Sequence, residues 1–313
     1  MCSPDRTSVD TVKVLVPDDL GLELPAPSEG LTTAFYRPGD PWPSEHLDAD
    51  VVVVGFDDAA ATGARFVDLP NLRLVQTLNA GYEQWVPHLP DGVMLSNGRG
   101  AHGGSTAEWA VAVLLSIYRD LPAFRALQAD GVWGFKDTET LIGKRVVVLG
   151  AGDLAVNLAA RLAPFEVEVT LVGQRARDGV VALADVDALL PDADAVVAML
   201  PATKETYRLL DAAFLSRLRD GTVVVNAGRG NAVDTEALIA ELTSGRLRAA
   251  LDVTDPEPLP PGHPLWSAPN LLLTPHVAGS TEGAWDRALR IAMDQIDVFA
   301  NGGRPPNAVV VPS

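Results

Sequence analysis

The segment RVVVLGAGDLA, residues 145–155, constrains this chain more than any other stretch. A run of apolar residues from Val146 to Leu149 reads as a buried strand. Gly150 and Gly152 follow at once, and residues 154–165 read as an amphipathic helix. A strand that turns this tightly into a helix needs a glycine at the turn and a bare backbone two residues later. The third small position of a G-x-G-x-x-G pattern is Ala155 here, small enough for the helix to pack closely on the strand. The unpaired N–H groups and positive dipole end of the helix then face whatever anion lies over Gly150 and Gly152, which predicts a dinucleotide pyrophosphate site. A plain strand-to-helix connection would use the same residues. Asp153 is awkward for the first reading, since an acid beside two phosphates repels them unless it points outward to cap the helix.

The rest of the chain repeats the alternation. Residues 12–17, 51–56, 72–78 and 92–97 read as strands, each short, rich in branched residues and bounded by Gly, Pro, Asn or Asp. Residues 105–118, STAEWAVAVLLSIY, read as a long helix buried between two domains, with Ser105 or Thr106 as its cap and Glu108 in its first turn. A second series then begins with the glycine turn. Its strands fall at 145–150, 168–173, 192–200, 221–228, 248–253 and 270–276, with helices at 234–245 and 281–301. Strands alternating with helices predict parallel sheets covered on both faces. The length of 313 residues favours two domains over one. The expectation is an α/β protein of two Rossmann-like domains, one flavodoxin-like and one dinucleotide-binding, with a cleft between them. The boundaries are residues 1–100 with 282–313 for the first and 101–281 for the second.

Composition narrows the partners. The chain has 24 Lys and Arg against 41 Asp and Glu, a formal charge of −17, so a nucleic-acid backbone is repelled by the overall field. A small anion needs a local positive cluster. No apolar run approaches the ~20 residues that span a bilayer, and no signal peptide is evident. The single cysteine, Cys2, fits a reducing compartment, so a cytoplasmic location without membrane association is expected. No metal site is expected.

The end of the strand EVTLVG gives the sharpest statement about a cofactor. A dinucleotide fold commonly places an acid there, about 20 residues past the glycines, to hold the ribose 2′-hydroxyl. Here the strand ends at Gly173, with Gln174, Arg175, Ala176 and Arg177 behind it. Gly173 leaves space, and Arg175 can pair with a 2′-phosphate, with Arg177 as a second contact. That favours NADP(H), with NAD(H) as the other possibility.

Three polar groups stand at successive strand ends of the same half: Arg229 in VVVNAGRGN, Glu257 in LDVTDPEPLP and His276 in LLLTPHVAGST. Ligands of open α/β sheets bind beyond the carboxyl ends of the strands, so the three can converge there. An arginine fork suits a carboxylate. A histidine gives or takes a proton near neutral pH, and a carboxylate beside it orients the ring. Each residue has a structural alternative: a surface charge, a solvated loop acid, a satisfied histidine.

Together these motifs resemble the D-isomer-specific 2-hydroxyacid dehydrogenases, from STAEWAVAVLL through VVVLGAGDLA, LPATKET, VVNAGRGNAVDTEAL and RAALDVTDPEPLP to LLLTPHVAGST. The resemblance implies reduction of a small 2-keto acid of the glyoxylate or hydroxypyruvate type to a D-2-hydroxy acid. It implies Arg229, Glu257 and His276 as the active-site trio and Asp153 and Leu154 at the pyrophosphate. Thr106, Ala227, Gly228 and Asp252 are implied near the nicotinamide half. The turn Asn79–Tyr82 would offer the N–H groups of Ala80 and Gly81 to the substrate carboxylate. A homodimer is also implied. Two other functions share this fold: a dinucleotide-sensing protein of corepressor type, and a dehydrogenase of a phosphonate or phosphite acid. The first need not keep all three polar groups, and the second needs extra positive charge near Gly81, where only His88 is at hand.

Overall fold

The structure is a computed structural model, and it describes residues 11–18, 28–55 and 58–310. Cys2 and Phe56 lie outside the described residues. The chain forms two compact units, Met1–His102 with Glu282–Ser313, and Gly103–Thr281.

The first unit opens with β1 (Val12–Pro17), β2 (Leu31–Tyr36), β3 (Val51–Val54), the short helix α1 (Ala59–Gly63), β4 (Leu74–Thr77) and β5 (Met94–Ser96). These strands pair in parallel in the order β2-β1-β3-β4-β5. β3 and β4 are buried at every position, as strands covered on both faces must be. Sequence patterning does not anticipate β2, whose LTTAFY is half-exposed at the sheet edge and lacks a clean alternation.

The second unit holds α2 (Gly103–Tyr118), α3 (Leu121–Ala129), β6 (Arg145–Leu149), α4 (Asp153–Leu162), β7 (Glu168–Gly173), β8 (Val180–Ala182) and β9 (Ala195–Ala198). It continues with α5 (Ala212–Ser216), β10 (Val223–Asn226), α6 (Thr235–Thr243), β11 (Arg248–Leu251) and β12 (Leu271–Leu273). The seven strands are parallel in the order β12-β11-β10-β9-β6-β7-β8. Strand order reverses between β6 and β9, so the loops leaving their carboxyl ends diverge and open a crevice at that point. Alternate residues feed two cores. Val147, Leu149, Val196 and Val224 pack with Phe214, Leu238 and Leu242 on one face. Val146, Val148, Val197 and Val225 pack with Ala107, Ala110 and Leu114 of α2 and Leu158 and Leu162 of α4 on the other.

The helix α2 starts at Gly103, earlier than the sequence suggests. Ser105 and Thr106 therefore sit inside its first turns and neither is its cap. Thr106 is buried, and Ser105 Oγ donates to the Gly279 carbonyl at 3.4 Å. The chain then returns to the first unit with α7 (Ala284–Ala300) and β13 (Ala308–Val310). Ala288, Leu289, Ala292 and Ile296 of α7 join Val14, Val51, Val53 and Leu74 in one core. β13 pairs antiparallel with β5, so the otherwise parallel sheet has one antiparallel edge.

The amino ends of the second unit's strands gather charges that neutralise one another. Lys144 pairs with Glu139 at 2.6 Å and Asp194 at 3.3 Å, Arg248 pairs with Glu139 at 2.8 Å, and Arg219 pairs with Asp194. Tyr118 is enclosed here, its hydroxyl donating to the Asp194 carbonyl at 2.9 Å with Lys144 and Arg248 over its ring. Burial pushes the Tyr118 phenol well up, so it remains a neutral donor.

Candidate active site

Gly150 closes the turn after β6 with φ +129°, where side chains are strained, and a Cβ there would lie 2.5 Å from the Met199 carbonyl. Gly152 is the N-cap of α4, makes no side-chain cap and faces open space. The first N–H groups of α4 have no partner within the helix, so this bare backbone fits a pyrophosphate. Gly173 closes the neighbouring strand beside the loop, where a Cβ would lie 3.4 Å from the Ala151 Cβ. The first acid past β7 is Asp178, in the exposed turn before β8. Arg177 reaches back to the loop and donates to the Ala151 carbonyl at 2.7 Å. Arg175 is exposed, and its guanidinium makes no hydrogen bond among the described residues.

Asp153 neither caps α4 nor faces the loop. It is the first residue of the helix, and its carboxylate turns toward the start of α2. Oδ1 accepts from Asn157 Nδ2 at 3.0 Å, and Asn157 Oδ1 accepts from Arg161 at 2.9 Å. Leu154 follows, half-buried, packed against the core on the α2 face. The expectation of an outward cap is thus corrected: the N-cap position is held by Gly152, and Asp153, one residue later, makes no cap.

At the carboxyl end of β10 the turn NAGRG is organised by Asn226, which is fully buried. Its side chain accepts from Gly228 N at 3.1 Å and donates to the Arg229 carbonyl at 2.9 Å. Gly228 is squeezed against Leu200, whose backbone a Cβ would approach to 2.6 Å, and Ala227 is buried beside it. The half-buried Arg229 donates to the Gly228 carbonyl at 2.8 Å. Gly230 brings this turn against the next strand end, since a Cβ there would fall 1.9 Å from the Thr254 carbonyl. Within that second loop Thr254 N donates to Glu257 at 3.4 Å, and Thr235 Oγ1 donates across to the Asp255 carbonyl at 3.1 Å.

His276 completes the group. Its Nδ1 bonds Glu257 Oε1 at 2.5 Å, and the pair is partly exposed at 52% and 39%. A carboxylate only accepts, so the Nδ1 proton is held by Glu257 and Nε2 is left to exchange a proton. The His276 backbone has φ +53°, an uncommon conformation for a residue with a side chain. The buried Asp252 holds it there. Its Oδ1 accepts from Thr274 Oγ1 at 2.6 Å and Val277 N at 2.9 Å, its Oδ2 from Ala278 N at 2.9 Å, and its carbonyl from His276 N at 2.8 Å. Sequence reasoning missed Asn226, Gly230 and Thr274. The signals for the first two were an asparagine closing a strand and a glycine on each side of Arg229.

In the first unit, the turn Asn79–Tyr82 follows β4. Asn97 Nδ2 donates to the Ala80 carbonyl at 2.8 Å, and Ala80 and Gly81 remain half-exposed. Trp85, four residues past Gly81, is a core residue at 1% exposure.

A glycine-rich strand-to-helix turn and a hydrogen-bonded His276–Glu257 pair thus lie at one end of one parallel sheet. Residues 111–278 match the NAD binding domain of the D-isomer specific 2-hydroxyacid dehydrogenases, and the chain belongs to that family. A glyoxylate reductase of Thermofilum pendens is 32% identical over 255 residues, 77% of this chain and 75% of its own. A D-isomer specific 2-hydroxyacid dehydrogenase from Xanthobacter autotrophicus, solved with NADPH and MES, superposes with a TM-score of 0.84 at 31% identity, covering 96% of this chain and 98% of its own. An NADPH-dependent glyoxylate/hydroxypyruvate reductase from Sinorhizobium meliloti, solved with NADP and sulfate, has a TM-score of 0.79 at 26% identity, covering 96% and 98%. The chain is accordingly an NAD(P)-dependent D-2-hydroxyacid dehydrogenase. Among the described residues, no helix is long and apolar enough to cross a membrane.

Proposed function

We propose that this enzyme prefers NADP(H) and reduces a small 2-keto acid of the glyoxylate or hydroxypyruvate type to the D-2-hydroxy acid. The observation that carries the reading is the cationic end of β7, where Arg175 and Arg177 stand beside the phosphate loop and the usual acid is absent. The similarity to a 2-hydroxyacid dehydrogenase solved with NADPH and to a glyoxylate/hydroxypyruvate reductase solved with NADP supports it. Bound NADPH supplies the hydride. Gly150, Gly152, Asp153 and Leu154 form the phosphate end, and Thr106, Ala227, Gly228 and Asp252 lie toward the nicotinamide end. Arg229 and the N–H groups of Ala80 and Gly81 bind the substrate carboxylate. His276 gives its Nε2 proton to the ketone oxygen as hydride reaches the carbon. Glu257 keeps hold of Nδ1 throughout, so the ring does not turn as its charge changes. Steady-state kinetics with glyoxylate and hydroxypyruvate, each with NADPH and NADH, test the reading: kcat/KM is expected to favour NADPH by about tenfold or more. A preference for NADH refutes the assignment of the β7 end.

The unit Gly103–Thr281 is then the dinucleotide domain and the remaining residues the substrate domain. The enzyme acts in the cytoplasm, consistent with its single cysteine. It is a homodimer joined through the face beyond α3. Trp133 and Phe135 are 98% and 87% exposed there, around an open groove of about 550 Å³. Monomers rarely display such a patch. Arg125 and Lys136 offset Asp120 and Asp130 around it, so two copies with a charge of −17 each can meet there. Trp133→Ser with Phe135→Ser is expected to halve the mass in solution by light scattering. A wild-type monomer, or an unchanged variant dimer, rules this surface out.

A further inference from the structure

The carboxylate of Asp153 stands at the mouth of the phosphate loop yet does not face it. Its Oδ2 is buried and has no hydrogen-bond partner among the described residues. A Cβ added to Gly103, the first residue of α2, would lie 1.9 Å from that oxygen. The carboxylate therefore occupies the volume that any other residue at position 103 would fill. Its other oxygen is held by Asn157, Asn157 is held by Arg161, and Arg161 lies against Gly104 and reaches Glu108 at 3.4 Å. Asp153, Asn157 and Arg161 recur every four residues, so one face of α4 carries the whole chain of contacts toward the first turn of α2.

We propose that Gly103 is a positioning residue for cofactor binding: the space left by its missing side chain holds the Asp153 carboxylate off the phosphate loop. Released from that space, the short side chain of the first α4 residue swings toward the loop, where its negative charge opposes the pyrophosphate. Gly103 touches no cofactor in this scheme, and it acts only through Asp153. The inference rests on the reading that the pyrophosphate lies over Gly150 and Gly152, and it adds a reason for the small residue at position 103.

The test is NADPH titration followed by tryptophan fluorescence on the full chain, with thermal denaturation of each variant without cofactor as the check on folding. Gly103→Ala is expected to weaken NADPH by about tenfold at low ionic strength, and the deficit is expected to shrink to about threefold or less near 1 M NaCl, because it is a like-charge repulsion. Asp153→Asn keeps the shape and removes the charge, so Gly103→Ala in that background is expected to cost about threefold at most. Asn157→Ala releases the carboxylate without adding bulk, and is expected to reproduce the salt-sensitive loss and the same rescue. Should Gly103→Ala fail to fold, the Asn157→Ala pair decides the question alone. Wild-type affinity in Gly103→Ala and Asn157→Ala overturns the proposal. So does a loss that survives Asp153→Asn or ignores salt, since that loss would be steric. A wild-type chain that binds neither NADPH nor NADH overturns the placement of the pyrophosphate instead.

Discussion

The seven parallel strands of the second unit have two ends built from the same residue types, and the two ends treat charge in opposite ways. At the amino end, Lys144, Arg219 and Arg248 are each matched by Glu139 or Asp194, around a small cavity of about 290 Å³. At the carboxyl end Arg175 makes no ion pair among the described residues, and the hydrogen-bonded pair of His276 and Glu257 is partly open to solvent. The amino end closes the base of the sheet and secures Tyr118. The carboxyl end leaves the exposed Arg175 without an ion-pair partner among the described residues. Parallel strands make the division possible, because they send every loop of one kind to one side.

If the ends are divided in this way, substitutions at one should move activity and at the other stability. The largest expected effect is at the carboxyl end. His276→Ala should lower kcat/KM for a 2-keto acid by about 10²–10⁴, or roughly 3–5 kcal/mol of transition-state stabilisation, with little change in melting temperature. Near-wild-type turnover would break the comparison at its functional end. Next is Asp194→Ala at the amino end, which leaves Lys144 and Arg219 without their shared acid. It should cost about 2–3 kcal/mol in urea denaturation, below the value for a fully buried pair because Arg219 is 45% exposed. Its kcat/KM should stay within about twofold of wild type, and a parallel loss of activity would show that the ends are coupled.

Arg175→Ala should raise KM for NADPH by roughly tenfold, about 1.5 kcal/mol, and leave KM for NADH nearly unchanged. An equal effect on both cofactors would move Arg175 from the 2′-phosphate to the general field. The smallest effect belongs to Glu139→Gln. Burial alone would raise the Glu139 carboxyl, but the hydrogen bonds and charges of Lys144 and Arg248 outweigh it and hold the group below its ordinary value. A carboxyl lowered in the folded state stabilises the fold above the ordinary carboxylate range, and that contribution fades as pH falls through the lowered value. The variant should therefore lose under about 1 kcal/mol at neutral pH and converge with wild type in acid. A difference that persists or grows in acid would contradict the ion-pair origin.

The sequence made the carboxyl end more legible than the amino end. Arg229, Glu257 and His276 are easily singled out because each follows a readily found strand, and parallel strands send those ends to one side of the sheet. β1 and β7 carry bounds that patterning recovers, since their apolar runs stop at a proline and a glycine. β8 and β13 are three half-buried residues each and carry no such signal. The destination of Asp153 was illegible for a different reason. It depends on Gly103, about fifty residues earlier, and on how α2 packs against α4. A local motif describes what a loop offers to a ligand, but the direction of one short side chain is set through space. The amino-end network has the same character, joining Glu139 and Lys144 before β6 to Asp194 before β9, Arg219 before β10 and Arg248 at the start of β11.

The first unit takes its last helix and edge strand from residues that follow the whole of the second. During synthesis the segment Gly103–Thr281 leaves the ribosome complete while the earlier sheet still lacks α7 to cover one face and β13 to pair with β5. Val14, Val51, Val53 and Leu74 are then without the helix that shields them in the finished protein. Every residue of the second unit is thus synthesised before the first unit has its full sequence. For this chain the unit that begins first is finished last, and one apolar face of its sheet waits for α7 in the interval.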